Sequence, residues 1–320
     1  MKLASVLTPL DHYNLTLAAQ TGVEAIVVRY PGHDLALLDE AQHRIASYGM
    51  ELGVIEGFLP IERLKLGLDD GTDLARMKAL IRHCGEIRVP MICYNFMAGT
   101  DWIRTSVDAP ERGGSKTTAF NISQLESAQI PGRQPFRADL EPGAKRDQLW
   151  VHLERFLTEL LPIAEDAGVV LAMHPDDPPL PELLGNERIM HCVDGFERLM
   201  QLVPSPSNKI AFCQGSFAEM GVDIPAVIRE LGGHIAYVHF RDVRGTADNF
   251  TETWQDTGMT DMAEAMRAYR EVGFAGPMRP DHVPQMIGED DGEPGYTMLG
   301  RLFAYGYIRG LMHATAHHHA

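Results

Sequence analysis

The chain has 320 residues, 45% of them hydrophobic, with 28 basic against 44 acidic side chains and a formal charge of −16. That hydrophobic content suits a globular chain with a sizeable core. The acidic balance argues against nucleic acid or an anionic membrane as partner, since both need clustered Lys and Arg, but a small anionic substrate needs only a local positive site.

Leu3 to Val6 reads as a first strand, followed by a helix over 14–20 with Asn14 as its N-cap. Val23 to Arg29 is a second strand, 34–48 a helix closed by Gly49, Glu51 to Glu56 a third strand, 73–87 a helix and Val89 to Phe96 a fourth strand. From Ala98 to Gly143 the rhythm breaks. Gly, Pro, Ser and Thr are frequent there, so an irregular insertion is expected after strand four. A strong helix over 147–167 leads to a short apolar strand, Val169 to Ala172, that runs into Met173-His174-Pro175-Asp176-Asp177-Pro178-Pro179. Proline removes a ladder donor and two acids cannot sit unpaired in a core, so His174 stands at the C-terminal end of its strand.

Residues 186–203 read as helix, and Lys209 to Phe212 then leads into Cys213. After a short helix over 225–232, Ile235 to Val238 leads into His239 and a loop over 245–258. A helix over 260–272, with Thr260 as N-cap and Gly273 closing it, precedes Gly276 to Arg279, which leads into Asp281. A loop over 287–295 comes before the last helix, 296–313, which starts at Tyr296. Residues 314–320, ending His317-His318-His319-Ala320, are expected to be a disordered tail.

Strands alternating with helices over this length imply a parallel sheet, and eight such units suggest an α/β chain folded as one (β/α)8 TIM barrel domain over 1–320. The rival, a doubly wound open sheet, lacks support: no Gly-x-Gly-x-x-Gly follows the first strand, and polar residues cluster after many strands. In a barrel all the βα loops share one face, which is where His174, Cys213, His239 and Asp281 would meet. Taken singly, each has an ordinary reading as a hydrogen-bonded rim residue, a small buried hydrophobe or a loop cap. Their occurrence at equivalent ends of four successive strands carries the ligand reading. Two imidazoles, a thiolate and a carboxylate suit Mn²⁺, Fe²⁺, Zn²⁺ or Co²⁺, and ligands this far apart in sequence point to a catalytic site, not a structural one.

Asp176 and Asp177 read as turn or supporting residues. His282, beside Asp281, is a candidate general acid or base, and Tyr296, after a loop able to fold over the mouth, a candidate proton donor. Arg104, in Asp101-Trp102-Ile103-Arg104-Thr105, is a candidate bidentate clamp for a carboxylate, with a surface ion pair as the alternative. Cys84, Cys93, Cys192 and Cys213 make no close pair, the N-terminus lacks a long apolar run, and no apolar stretch approaches the roughly 20 residues that span a bilayer. A reducing, cytoplasmic location with no membrane partner is expected.

These stretches together resemble the mannonate dehydratase family. The matching segments are Cys93-Tyr94-Asn95-Phe96-Met97, Asp101 to Thr105, His174 to Pro179, Phe212-Cys213-Gln214-Gly215-Ser216, Val238-His239-Phe240-Arg241-Asp242-Val243, Asp261-Met262, Gly273 to His282, and Gly295-Tyr296-Thr297-Met298-Leu299-Gly300-Arg301. The resemblance implies a barrel enzyme that dehydrates D-mannonate, a small sugar acid, to 2-keto-3-deoxy-D-gluconate in hexuronate breakdown. It implies Mn²⁺ or Fe²⁺ on His174, Cys213, His239 and Asp281, proton transfer by His282 and Tyr296, and a homo-oligomer. Asn95, Arg241 and Gln255 join Arg104 as expected substrate contacts. The chain departs from the family pattern at Asp242, where Asn is usual, at Val283, where Gly is usual, and at Gln255, where His is expected. A related aldonic acid is therefore an alternative substrate. A metal-dependent sugar isomerase or epimerase is a second alternative, and a non-catalytic sugar-acid-binding barrel ranks last, since it would not need His282 and Tyr296.

Overall fold

The computed structural model describes residues 1–129, 131 and 143–316. Its first part alternates strand and helix: β1 (Lys2–Val6), α1 (His12–Gln20), β2 (Ala25–Val28), α2 (Ala36–Ala46), β3 (Glu51–Glu56), α3 (Glu62–Lys65), α4 (Thr72–Glu86) and β4 (Met91–Asn95). An antiparallel pair, β5 (Ser106–Pro110) and β6 (Lys116–Asn121), interrupts the alternation before α5 (Arg146–Ala167) and β7 (Val170–His174). A minimal hairpin, β8 (Glu182–Leu183) and β9 (Asn186–Glu187), precedes α6 (Val193–Leu202), β10 (Asn208–Cys213), α7 (Gln214–Glu219), α8 (Ile224–Leu231) and β11 (Ile235–His239). A second inserted pair, β12 (Val243–Thr246) and β13 (Asn249–Glu252), separates β11 from α9 (Met262–Glu271), β14 (Pro277–Arg279) and α10 (Met298–Ala314).

Strands β1, β2, β3, β4, β7, β10, β11 and β14 close into a parallel barrel in that order, β14 returning to β1. This is the (β/α)8 barrel expected from the alternation. Its interior packs small and β-branched side chains, Ala4, Ala25, Ala172 and Ala211 with Val6, Val27 and Val54, against the larger Met91 and Tyr237. The outer layer follows helical spacing. On α5, Leu149, Leu153, Phe156, Leu157, Leu160, Leu161 and Ala164 form one buried stripe, and Gly168, at φ 67°, ends the helix in the left-handed conformation.

Several expected boundaries move for local reasons. The N-cap of α1 is Asp11, whose carboxylate accepts from Asn14 N–H at 2.9 Å, so Asn14 lies inside the first turn. The N-cap of α9 is Asp261, and Thr260 instead donates to Asp242. Helix α6 starts at Val193 instead of 186: Asn186 Oδ1 accepts from the backbone N–H groups of Gly143 and Ala144, and that stretch is held as β9. Tyr296 precedes α10 instead of opening it. The helix runs through Ala314, and Thr315 is buried, its hydroxyl accepting from Arg270 Nε at 2.8 Å, so residues 314–316 belong to the fold and not to a tail. Residues 317–320 of the expected tail lie outside the described residues.

The largest correction concerns the two regions expected to be irregular, 98–143 and 245–258. Their strands pair into one four-stranded antiparallel sheet, ordered β12-β13-β6-β5. Residue pairing sets Phe250 opposite Phe120, and their rings stack with centroids 5.9 Å apart. One pair follows the end of β4 and the other the end of β11, so this sheet stands at the C-terminal mouth of the barrel. Residues 130 and 132–142 of the first region lie outside the described residues.

Candidate active site

The site begins with strand register. Asn95, His174, Cys213, His239 and Arg279 are the last residues of β4, β7, β10, β11 and β14. Asn95 pairs with His174, Cys213 with His239, and His239 with Arg279. Parallel pairing, not loop conformation, therefore brings these side chains to one rim. Asp281 lies two residues beyond Arg279 at φ 63°, a backbone region that non-glycine residues seldom occupy and that is often kept for function. That turn brings its Oδ2 to 3.6 Å from Cys213 Sγ and 3.7 Å from His239 Nδ1.

His174, Cys213 and His239 each offer a donor atom within 4.8 Å of the other two. His174 Nδ1 lies 2.7 Å from the Pro175 carbonyl, which can only accept, so Nδ1 carries the hydrogen and Nε2 presents a lone pair. That Nε2 is 3.2 Å from His239 Nδ1. His239 Nε2 faces Glu56 Oε1 at 3.4 Å. The 3.2 Å spacing also suits a cation held between the two rings: two nitrogens bound at about 2.1 Å are about 3.0 to 3.4 Å apart in octahedral or tetrahedral geometry. The donor set thus fits a divalent metal. Glu56, Cys93 and His239 form a second close group, but Arg279 Nη2 already sits 2.7 Å from Glu56 Oε1, and burial pushes the Cys93 thiol well up.

Beside the metal-competent group runs a chain of three side chains. Glu252 Oε1 is 2.7 Å from His282 Nδ1, and His282 Nε2 is 3.1 Å from the Tyr296 hydroxyl. Burial alone would raise the Glu252 carboxyl, but His282, Arg104 and Arg241 outweigh it and hold it well below the usual carboxylate range. An ionised carboxylate only accepts, so Nδ1 carries the hydrogen and Nε2 is the acceptor facing Tyr296. Burial pushes the Tyr296 phenol up, so it is protonated near neutrality. The indole of Trp102 lies on the His282 ring, centroids 4.1 Å apart and planes 31° apart. Trp102, His282, Tyr296, Asn95, His174 and Asp281 all line one open cavity.

The expected substrate contacts divide. Asn95 lines the cavity, its Oδ1 accepting from Lys65 Nζ at 2.8 Å. Arg104 does not face the cavity: it is fully buried and engages Asp177 with both terminal nitrogens, at 2.7 and 3.0 Å, and Glu252 at 2.6 Å. Arg241 is buried likewise, 2.6 Å from Glu252, 2.8 Å from Glu219 and 3.2 Å from Asp177. It passes so close to Gly215 that a Cβ there would lie 2.2 Å from its Nε. Gln255 sits behind His282 and donates to the carbonyls of Pro280 and His282 at 3.4 and 3.5 Å. The other departures are also structural: Asp242 accepts from Thr260 N–H at 2.7 Å, and Val283 packs against Gly300. Sequence reasoning missed Glu252, Glu56 and Arg279. The alternation Phe250-Thr251-Glu252 was the available signal for the first, and the place of Glu56 and Arg279 as last residues of their strands was the signal for the others.

Residues 7–320 match the family described as D-mannonate dehydratase (UxuA). Mannonate dehydratase of Endomicrobium trichonymphae is 31% identical, over 92% of this chain and 89% of that protein. The crystal structure of mannonate dehydratase from Streptococcus suis serotype 2 superposes with a TM-score of 0.89 at 30% identity, covering 98% of this chain and 95% of the other. An L-ribulose 3-epimerase structure covers 100% of this chain and 99% of its own at a TM-score of 0.61 and 15% identity, a likeness of fold alone.

Proposed function

The chain belongs to the D-mannonate dehydratase family, a family of hydro-lyases, and on that premise we propose that it removes water from D-mannonate to give 2-keto-3-deoxy-D-gluconate. The observation that carries the reading is the Glu252–His282–Tyr296 chain opening into the cavity beside His174, Cys213, His239 and Asp281. Those four residues would hold the metal; their mixed donors admit Mn²⁺, Fe²⁺, Zn²⁺ or Co²⁺, and of these the family resemblance supports Mn²⁺ or Fe²⁺. Held there, the cation would supply the positive charge that eases the build-up of negative charge on the substrate as the C2 proton leaves.

The chain's own residues do the rest. His282 Nε2, with Nδ1–H fixed on Glu252, accepts the proton from C2. The C2–H electron pair becomes the C2–C3 double bond, the C3–O bond breaks, and Tyr296 gives its phenolic proton to the departing hydroxyl, which leaves as water. The enol then becomes the 2-keto product. His282 is left protonated and Tyr296 deprotonated, and the 3.1 Å contact between them lets the proton return directly and restores both. Trp102 against the His282 ring limits its rotation and keeps bulk water from it. Asn95 is the lining residue we assign to a substrate hydroxyl, whereas Arg104 and Arg241 act from behind by holding Glu252 ionised.

Gln255 hydrogen-bonds backbone behind His282 and is not among the cavity-lining residues, which supports D-mannonate over a related acid. Four free cysteines, and no described helix long and apolar enough to cross a membrane, agree with the cytoplasmic location we propose. The test is a panel of sugar acids with Mn²⁺ or Fe²⁺, assayed for a 2-keto-3-deoxy acid. Conversion of D-mannonate to that product is expected. Turnover that conserves the hydroxyls would replace dehydration with isomerisation.

A further inference from the structure

Arg301, in the first turn of α10, is 1% exposed, yet neither Nη1 nor Nη2 meets a hydrogen-bond acceptor among the described residues. Burying a guanidinium without an acceptor costs stability, so such a residue needs another reason to be there. Its Cζ lies 5.3 Å from the centroid of the Tyr296 ring. Arg29 Cζ is also 5.3 Å from that ring, but Arg29 is 2.5 Å from Glu293 and is neutralised by it. The other hydroxyl near Arg301, on Tyr305, is tied to Ser5 Oγ at 2.5 Å.

We propose that Arg301 is a positioning residue for the dehydration, its guanidinium, free of hydrogen-bond acceptors at both terminal nitrogens among the described residues, stabilising Tyr296 as that phenol gives up its proton to the C3 hydroxyl. This rests on the reading of Tyr296 as the proton donor. A cation is drawn to an electron-rich ring face, and loss of the phenolic proton enriches the ring. The contact therefore strengthens as the reaction proceeds, which raises kcat and leaves substrate binding alone.

The test compares D-mannonate with 3-deoxy-3-fluoro-D-mannonate, from which loss of HF gives the same keto acid but whose fluoride departs without needing the phenolic proton. For R301M, kcat on D-mannonate should fall about thirtyfold, the rate equivalent of a desolvated cation–π contact. KM should stay within about threefold and kcat on the fluoro acid should change by less than about threefold. The melting temperature should match or exceed that of the wild type, because an uncompensated buried charge is gone. R301K should recover most of the lost rate, and Tyr296→Phe should show the same contrast between substrates. Equal losses on both substrates, an unchanged kcat, or a marked drop in melting temperature would assign Arg301 to packing and overturn the proposal. R301Q is a second variant, and its two rates and melting temperature are judged by the same criteria. Wild-type protein that dehydrates neither substrate would instead sink the functional reading.

Discussion

Glu252 Oε1 lies 2.7 Å from His282 Nδ1, although Glu252 ends a hairpin strand of the mouth sheet and His282 follows the last barrel strand. This contact decides which imidazole nitrogen is a base. In Glu252→Gln the amide can present an N–H to Nδ1 and reverse the tautomer. We expect kcat to fall by roughly a hundredfold or more, with metal content unchanged and KM little affected. Glu252→Asp should recover part of the loss. Steady-state kinetics with metal analysis of the purified variants checks this, and a Gln variant of full activity removes Glu252 from the proton path.

His282 and the metal-competent residues should separate cleanly. His282→Ala is expected to bind Mn²⁺ as the wild type does while losing at least about a thousandfold in kcat, the upper range for a lost general base. Retained activity would exclude His282 as the base.

His174→Ala and Cys213→Ser should instead lower bound metal and turnover together. In the wild type, metal at a hundredfold excess over its Kd should stabilise the fold by about 3 kcal/mol, and a chelator should reverse this. Thermal melts with and without Mn²⁺ measure the effect. An equal metal-induced shift in both variants would contradict the ligand assignment.

The buried Asp177–Arg104–Arg241 cluster predicts an acid limit. Burial would raise the Asp177 carboxyl, but Arg104 and Arg241 outweigh it and bring it from 3.8 down to about 2. The folded value is the lower one, so this contribution to stability is fully present above the unfolded value and is lost as the pH falls from about 4 through about 2. Asp177→Asn should be less stable near neutrality, by about 3 to 5 kcal/mol, because two guanidiniums lose a partner. Over that acid range its stability should fall less steeply than that of the wild type, as denaturant melts at stepped pH will show.

The barrel and its rim were legible because the βα units announce themselves by apolar runs, and several of them a second time by the histidine, acid or proline that ends the run, as at His174-Pro175, His239 and Arg279-Pro280-Asp281. His174, Cys213 and His239 needed only the register rule to converge. Arg104 and Glu252 were not legible in the same way. They lie 148 positions apart, on a sheet built from two short insertions that a single pass reads as irregular, and nothing local tells whether the counter-ion of an arginine comes from the chain or from a ligand. The N-caps went astray by the same logic: Asp11 and Asp261 compete with neighbouring Asn14 and Thr260, and only the hydrogen-bond geometry picks between them.

The mouth sheet carries a lesson for engineering. Because β5–β6 and β12–β13 complete one another, neither insertion is an independent module. Transplanting one of them into a related scaffold would leave Phe120 or Phe250 without its counterpart and strand a buried arginine or glutamate, so the mouth of this architecture should be rebuilt by moving both excursions together.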